Sequence, residues 1–457
     1  KLTNFEPDSK LTWKVNLYKY SVEYCIRDCV VLQKGVNKFR EDVAEMGLVL
    51  ENYLSASSLA HGYMMNNGAY AGVYQVGGVT RSYIQESVVG GRVMTKRNKC
   101  IKHKATNADE ELIDFDAVSL YPTAMAQMPG LPTGLPINFK GEPPKDAPFY
   151  IATVTVKKLT KRLNFPTVGM DTNGGRHWTN NVEDETLILN KKQIEDMIEF
   201  QGAEFEFIGG LYWTGINNKI TKIIRKLFDW RLRLKEEKNS LQLIVKLIMN
   251  SAYGKMIQKP VETDIRFMSG ERKSVLAKAI TRGAGFIQAI EVREKYYRVE
   301  CIDYDFNFGN YAHCGSMVLG YSKHIMYEAM CPVDDYILYT DTDSMIIQRA
   351  GLDKLRKEKP HLFGKEMGQF HSDFESLPSG GETFSKRALF MGKKIYCCEL
   401  TNASGDKGYH TRIKGIPASS IEYQKKITGL DDLALLHECK ENGVEFDLLE
   451  DGMRCRF

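Results

Sequence analysis

YILYTDTDSMIIQ, residues 336–348, places a short polar turn between two apolar segments, which is typical of two strands in a hairpin. Asp341 and Asp343 lie two residues apart at this turn, so their side chains converge on one side of the hairpin. Two carboxylates this close repel each other unless a cation lies between them. The stretch therefore predicts a hairpin that binds a divalent ion, and a solvated turn without a ligand is the alternative.

A third carboxylate comes from DFDAVSLYP, residues 114–122. Residues 110–116 predict a strand that runs into a turn and delivers Asp116 to its end. Ligand-binding and catalytic groups lie at strand ends in many sheet-based sites. Asp116 is therefore a candidate catalytic residue. An Asp that only terminates the strand is the alternative.

The strongest helical signal lies between residues 218 and 255. One apolar stripe comprises Leu227, Trp230, Leu234, Leu241, Ile244, Leu247 and Ile248. The polar run at 235–239 interrupts the stripe, which predicts two helices in a hairpin.

KLIMNSAYGK, residues 246–255, occupies the second of these helices. Lys246, Asn250 and Tyr253 are spaced to lie on one helical face. A cation, an amide and an aromatic ring aligned in this way suit a nucleoside triphosphate. The alternative is an ordinary amphipathic helix that ends at Gly254.

The rest of the chain is interpreted from periodicity and composition. It predicts helices at 18–53, 184–200 and 311–330, a strand at 149–157, loops with short strands at 61–85, a Pro/Gly-rich connector at 128–144, and irregular or mixed segments at 163–181, 258–308 and 405–457.

The length, composition and charge of the chain exclude fewer functions than the motifs do. The 457 residues suffice for about three domains, and a net charge of +4 does not by itself indicate nucleic-acid binding. None of the ten cysteines forms a C-x-x-C pair, so zinc is not expected. Without a signal peptide or a membrane-length apolar run, we expect an intracellular protein of the host nucleus or cytoplasm, not secreted and not bound to a membrane. The missing initiator Met suggests a fragment.

Taken in order, the motifs DxxSLYP, KxxxNSxYG and YxDTDS resemble motifs A, B and C of family B DNA polymerases, and the resemblance covers most of the chain. It implies an α+β multidomain right-hand polymerase of palm, fingers and thumb, with two insertions and a C-terminal remnant of an exonuclease domain. The implied parts are the exonuclease remnant at 1–52, palm at 53–128 and 309–402, insertions at 129–213 and 257–308, fingers at 214–256, and thumb at 403–457.

The resemblance implies nucleotidyl transfer from a dNTP to a primer 3′-OH. Asp116 and Asp343 would bind both Mg²⁺ ions, for which Mn²⁺ could substitute, and Asp341 would support them. The backbone carbonyl of Ala117 or Val118 would complete the metal ligands.

The incoming nucleotide would meet motifs A and B. Tyr121 resembles the steric gate that excludes a 2′-OH, and Lys246 would bind the triphosphate. Asn250 and Tyr253 would line the pocket for the new base pair. Ser119 and Leu120 are further residues implied to contact the nucleotide. A phosphate contact is also implied for Arg231, Lys235 or Lys238, and the spacing does not select one of the three.

Primer and template contacts are implied further along the chain. GKKIY resembles the KxY element, with Lys394 and Tyr396, and Lys414 in IKGIP resembles a lysine at the start of the thumb. Gly90, Gly91 and Thr342 are the other positions implied to contact primer or template. VVGGR has Val88 where the related YxGG motif has Tyr, which puts a partitioning role for this loop in doubt.

YCIRD resembles the third proofreading motif, with Tyr24 and Asp28. The first two motifs are absent upstream, so we do not expect a complete exonuclease site, although the parent protein is expected to have one. The long gaps at 129–210 and 257–308, with SLYP, SKHIMYE and GQFHSDFE, resemble protein-primed polymerases of polinton-like elements and viruses. Loop growth without a terminal protein is the alternative.

The expected partners are primer–template DNA, dNTP and a terminal protein, bound by a monomer. Three other functions compete with this interpretation. A reverse transcriptase or RNA polymerase would usually carry adjacent Asp residues where this chain has D-T-D. A DNA-binding scaffold that has lost catalysis conflicts with the retained carboxylates and Lys246. A stand-alone nuclease would need more carboxylates near Asp28.

Overall fold

A computed structural model describes residues 17–172, 175–259, 263–281, 285–302, 309–448 and 453–456. Its helices are α1 (Leu17–Glu45), α2 (Ala56–Asn66), α3 (Gly78–Glu86), α4 (Leu120–Gln127), α5 (Lys191–Gln201), α6 (Lys219–Glu236), α7 (Leu241–Ser251), α8 (Arg272–Thr281), α9 (Ala312–Met330), α10 (Arg349–Glu358), α11 (Ala418–Thr428) and α12 (Asp432–Glu441). Its strands are β1 (Val93–Thr95), β2 (Ile101–Lys104), β3 (Leu112–Ala117), β4 (Leu131–Thr133), β5 (Ile137–Lys140), β6 (Phe149–Leu159), β7 (Gly169–Thr172), β8 (Gly175–Trp178), β9 (Thr186–Asn190), β10 (Ala203–Trp213), β11 (Gly215–Asn217), β12 (Thr263–Ser269), β13 (Gly285–Arg293), β14 (Tyr296–Ile302), β15 (Ile337–Asp341), β16 (Ser344–Gln348), β17 (Phe370–Ser372), β18 (Phe384–Gly392), β19 (Ile395–Thr401), β20 (Lys407–Ile413), β21 (Glu445–Leu448) and β22 (Met453–Arg456).

The central sheet brings distant parts of the sequence together. Its strands run in the order β1, β15, β16, β3, β18, β19, β20, while β17 also pairs with β3 and β2 with β18. Ile113 and Ile347 from the middle strands are buried in the main core on one face, and Leu112 and Ile346 are buried in a separate core on the other, so both faces of this region are covered. The predicted hairpin at 335–348 and the predicted strand at 110–116 are confirmed, and they pair with each other.

Helices α4 and α9 pack together in the main apolar core, and α4 also contacts α6. Nearly every residue of α9 is buried, as expected for a helix that is surrounded by other elements. The prediction of this helix at 311–330 is confirmed.

Helices α6 and α7 form the predicted hairpin. Leu227, Leu234 and Ile244 from the predicted stripe are buried, whereas Leu247 remains partly exposed. Lys238 ends the first helix with a positive φ of 55°, which lets the chain reverse direction.

Two smaller sheets flank this core. Strands β5, β10, β6 and β9 form one sheet, against which α5 packs around a separate apolar core. Strands β12, β14 and β13 form the other, with α8 on one side. The irregular structure predicted at 258–308 is therefore wrong for the described part of that range. Residues 260–262, 282–284 and 303–308 lie outside the described residues.

Two further predictions are corrected. The helix predicted at 184–200 begins only at Lys191, because Asn190 ends β9 and caps α5 by accepting a hydrogen bond from the Gln193 N–H. The loops predicted at 61–85 are largely α2 and α3. A capping box between Ser55 and Ser58 starts α2 despite the glycines that follow.

The C-terminal part is mixed, as predicted. Strand β20 pairs with β19 and so extends the central sheet into the range assigned to the thumb, while α11 and α12 pack beyond it. The division into palm, fingers, thumb, insertions and exonuclease remnant stays a prediction. No helix in the described part of the chain is long and apolar enough to cross a membrane.

Candidate active site

The three predicted carboxylates come from neighbouring parts of the central sheet, because β3, β16 and β15 lie side by side. Ser344 pairs with Asp116 across β16 and β3, and with Asp341 across β16 and β15. The Ala117 N–H donates to the backbone carbonyl of Asp343 at 2.8 Å. This register places Asp116, Asp341 and Asp343 at one end of the sheet.

The turn between Asp341 and Asp343 is held from the N-terminal side. Thr342 has a φ of 63°, and its N–H donates to the Arg92 carbonyl at 2.8 Å. A Cβ on Gly91 would lie 2.5 Å from Thr342 Cγ2 and 3.1 Å from Thr342 Cα, so any side chain here would force the turn to shift. Gly91 thus packs against the turn of the candidate carboxylates, with Gly90 next to it in the same loop, although Val88 departs from the related motif.

The electrostatics of this end of the sheet call for a cation. Burial raises the pKa of Asp116 to about 8, with further contributions from Asp343, Asp373 and Asp114. Burial and the charge of Asp341 also raise the pKa of Asp343. A set of carboxylate oxygens suits Mg²⁺ or Mn²⁺, which prefer oxygen ligands. The residues present therefore fit a divalent ion.

The Val118 carbonyl, one of the two predicted backbone ligands of the metal, already accepts hydrogen bonds within the protein. The Val118 carbonyl accepts long hydrogen bonds from the Gly368 N–H at 3.4 Å and from the Thr123 hydroxyl at 3.2 Å. A carbonyl oxygen has two lone pairs, so these bonds do not decide between Val118 and Ala117 as a ligand.

Lys394 supplies a positive charge to the site. Its Nζ lies 2.9 and 2.8 Å from the two carboxylate oxygens of Asp341. Tyr339 donates to Asp341 at 3.3 Å and accepts from the Lys394 N–H at 2.9 Å. The Tyr396 ring lies 4.6 Å from that of Tyr339, and the Lys414 N–H donates to the Lys394 carbonyl at 3.0 Å. Of the predicted KxY residues, Lys394 thus contacts Asp341 directly, whereas Tyr396 packs on Tyr339, which in turn donates to Asp341.

A pair of aromatic rings lies next to the carboxylates. Ser119, with φ 54° and ψ 56°, turns the chain from β3 into α4, where Leu120 is buried and Tyr121 is partly exposed. The Tyr121 ring stacks on Tyr253 with a centroid distance of 4.2 Å. Burial, followed by the proximity of Tyr253, raises the pKa of Tyr121. The fold therefore joins the predicted steric gate to the end of α7.

The other side chains predicted to contact the nucleotide lie on α7, on α6 and in the loop between these helices. Lys246 and Asn250 are exposed on α7. On α6, Lys235 is exposed, whereas Arg231 is partly buried and its Nε has no hydrogen-bond partner. Lys238 is exposed in the loop that follows. Their roles stay predictions.

Two further carboxylates approach the site and were missed in the sequence. Asp114 is buried, and burial followed by the charge of Asp373 raises its pKa to about 7. The Asp373 N–H donates to the Asp114 carbonyl at 3.1 Å. The signal for Asp114 was available, since residues two apart on a strand share a face and Asp114 precedes Asp116 by two.

Tyr24 and Asp28 lie away from this site on the exposed helix α1. The negative charge of Asp28, which also accepts a hydrogen bond from the Tyr24 hydroxyl, raises the pKa of Tyr24. The described residues bring no further carboxylate into a metal-binding group with Asp28. The origin of this pair in an exonuclease stays a prediction.

Comparisons with known proteins agree with these observations. The sequence model of the family described as DNA polymerase type B, organellar and viral, matches residues 4–335. A DNA polymerase of Kluyveromyces lactis is 24% identical over 96% of this chain and 43% of its own length. A DNA polymerase of Bacillus phage Nf is 24% identical over 72% of this chain and 52% of its own length. The chain thus spans about half the length of these relatives.

Solved structures show the same fold. Phi29 DNA polymerase complexed with primer-template DNA and incoming nucleotide substrates matches with a TM-score of 0.60 and 18% identity, over 81% of this chain and 62% of that chain. Its post-translocation binary complex with primer-template DNA gives a TM-score of 0.58 over 83% of this chain and 62% of that chain. The predicted α+β polymerase fold is confirmed, whereas the insertions and the exonuclease remnant stay predictions.

The raised pKa of Asp116, about 8, predicts how the metal-free protein responds to pH. Between about pH 4, where an unfolded Asp titrates, and about pH 8, the folded state binds more protons, so stability falls as pH rises. Asp116→Asn should flatten this decline when Tm is measured in EDTA at several pH values. Asp114, with a pKa of about 7, should retain part of it.

Added Mg²⁺ should raise the Tm of the wild type at pH 8 more than that of Asp116→Asn, because the ion offsets the carboxylate repulsion. Asp353→Asn on exposed α10 is the control and should behave like the wild type. An unchanged pH slope in Asp116→Asn would show that this carboxyl does not cause the decline.

Proposed function

The chain belongs to the type B DNA polymerases of the organellar and viral kind, and from that premise we propose that it catalyses template-directed DNA synthesis, transferring a nucleotidyl group from dNTP to a primer 3′-OH. The observation that carries the proposal is the register of β3, β16 and β15. It brings Asp116, Asp341 and Asp343 together beside the Tyr121–Tyr253 pair.

In this proposal Asp116 and Asp343 hold two divalent ions, with Mg²⁺ as the expected metal. When bound, the ions would lower the pKa of the primer hydroxyl and stabilise charge on the triphosphate and the leaving pyrophosphate. Lys394 orients the Asp341 carboxylate through its two short contacts. That contact keeps Asp341 directed into the site while Asp116 and Asp343 serve as the principal ligands.

The nucleotide would bind between the carboxylates and α7. Tyr121 offers a flat surface to the sugar, and Tyr253 behind it fixes the ring position by stacking. Lys246 lies about two helical turns before Tyr253, roughly 10 Å along the axis, which suits the length of a triphosphate. Its exposed ammonium would bind phosphate as a point charge.

Primer–template DNA is the proposed partner of the Lys394–Lys414 region. Both side chains are exposed, and their backbones are hydrogen-bonded to each other beside the carboxylates. Lysines placed in this way make contacts to phosphate that do not depend on base sequence and weaken with salt. The phi29 structures with primer-template DNA support this assignment by their fold. We further propose a monomer that acts inside the host cell, in the nucleus or the cytoplasm.

Asp343→Asn should reduce primer extension by about a hundredfold or more, because several kcal/mol of charge stabilisation are lost from the transition state. Extension is measured with labelled primer–template, dNTP and Mg²⁺, and DNA binding is measured in parallel. DNA affinity should stay within a few-fold. Asp353→Asn, an exposed carboxylate on α10, is the control and should extend normally.

Equally poor extension by the wild type and Asp343→Asn, with DNA binding intact, would contradict the proposal and favour a non-catalytic scaffold. Preference for an RNA template or for rNTP in the same assay would favour a reverse transcriptase or RNA polymerase.

Replacement of Tyr121 by Val should increase the use of rNTP relative to dNTP by about tenfold or more, since the ring that would meet a 2′-OH is removed. The control is Tyr121→Phe, which keeps the ring and its stacking on Tyr253. Competition assays with paired dNTP and rNTP give the ratio. If Tyr121→Val discriminates as well as Tyr121→Phe, Tyr121 is not the gate.

Protein-primed replication of a viral or mobile-element genome is the finer part of the proposal. It is supported by the two flanking sheets, each with its own apolar core, in the ranges where protein-primed relatives carry insertions. The full-length enzyme, a candidate terminal protein, labelled dNTP and Mg²⁺ should yield a covalent nucleotide–protein adduct. Normal extension of a DNA primer without any adduct would contradict protein priming and leave the polymerase proposal intact.

A further inference from the structure

Helix α5 of the four-stranded flanking sheet meets the buried helix α9 away from the polymerase carboxylates. Asp196 and Glu199 lie three residues apart on one face of α5, and His324 faces them from α9. One potential ligand atom from each residue lies within 4.8 Å of the others. Across the described residues, no other trio of His, Cys, Asp and Glu meets this condition.

Asp196 is buried without full compensation. Its side chain is 1% exposed, and its Oδ1 lies 2.7 Å from His324 Nδ1. The other oxygen, Oδ2, is buried and has no hydrogen-bond partner. An unsatisfied buried carboxylate oxygen is costly, so this atom needs a ligand that the protein itself does not supply.

The nearby cation does not meet this need. Lys192 Nζ lies 3.6 Å from Asp196 Oδ1, beyond normal hydrogen-bond length, and is also 3.5 Å from Glu195. Burial raises the pKa of Asp196 even though His324 and Lys192 act in the opposite direction. Lys192 and buried Lys323 both interact with the charge of Asp196, but neither donates a hydrogen bond to Oδ2.

We propose that Asp196, Glu199 and His324 bind one zinc-like divalent ion, with water as the remaining ligand. One imidazole and two carboxylates match the ligands that Zn²⁺ takes, whereas the imidazole disfavours Mg²⁺. Ligands at about 2.0 Å in a tetrahedral site lie about 3.3 Å apart. Glu199 is exposed, so its side chain is free to approach the ion, and the partly exposed His324 leaves an entry path.

This site goes beyond the proposed polymerase function and does not depend on it. The ion would link α5, which packs on the sheet of β5, β10, β6 and β9, to α9 in the main core. Glu328 Oε1 lies 3.9 Å from His324 Nε2, the ring nitrogen opposite the one that faces Asp196, so its charge lies at the outer edge of the imidazole. The absence of C-x-x-C pairs argues against cysteine-based zinc sites and not against this one.

The test uses the full chain with Asp116→Asn and Asp343→Asn, which removes divalent binding at the polymerase carboxylates. The protein is stripped with EDTA and titrated with Co²⁺, whose visible absorption is much stronger in a four-coordinate site than in water, and then with Zn²⁺ by equilibrium dialysis. We expect one ion per chain and a higher Tm on binding.

Glu199→Gln and His324→Gln, both at accessible positions, should each weaken Zn²⁺ binding about tenfold or more. Glu195→Gln is the matched control, because it lies on the same helix and contacts Lys192 but is not in the trio. It should bind like the parent. Failure to bind one equivalent of Co²⁺ or Zn²⁺, or undiminished binding in Glu199→Gln and His324→Gln, would overturn the proposal.

Discussion

The antiparallel register between β3 and β16 is the constraint on which the candidate active site depends. It pairs Ser344 with Asp116 and joins Ala117 to Asp343 by a backbone hydrogen bond. A slip of one residue would turn Asp116 to the opposite face and would also take its strand neighbour Ile113 out of the main core. The hydrophobic core therefore specifies the register, and the register assembles the carboxylates without any direct bond between them.

That arrangement is electrostatically unfavourable without a ligand. Burial raises the pKa of Asp116 and Asp343, and the Lys394 ammonium is bound to Asp341 and not to either of them. Asp114 adds a further buried carboxyl. The packing of the strands holds these carboxylates near one another although their charges repel. Such a local cost in stability is common at functional sites. The cation that relieves the repulsion is thus part of the proposed chemistry.

The sequence predicted the parts of the fold in which local pattern and tertiary environment agree. The alternation around Asp341 and the apolar stripe of α6 and α7 predicted the structure correctly, because the apolar residues that form each pattern also form the core. Prediction failed at 184–190, where a strand leads directly into a helix and Asn190 alone marks the boundary. Prediction also failed for β12, β13 and β14. These strands pair with one another, and this pairing cannot be recognised from any one segment alone. The site residues were accessible through motif order, whereas the contact of Gly91 with Thr342 required the fold.

Helix α9 connects the two proposed metal sites by direct contacts. His324 faces Asp196 on α5, and its neighbour Lys323 is buried and donates to the Val89 carbonyl at 2.6 Å. Val89 leads into the glycine loop that packs on the turn between the candidate carboxylates Asp341 and Asp343. An ion at Asp196 would thus restrain the helix that holds this loop from behind. Contact alone does not establish coupling between the sites, which also requires an element with two arrangements. Because α9 is fixed in the main core, an ion at α5 would act by rigidity and keep the flanking sheet in a fixed position relative to the turn at Thr342.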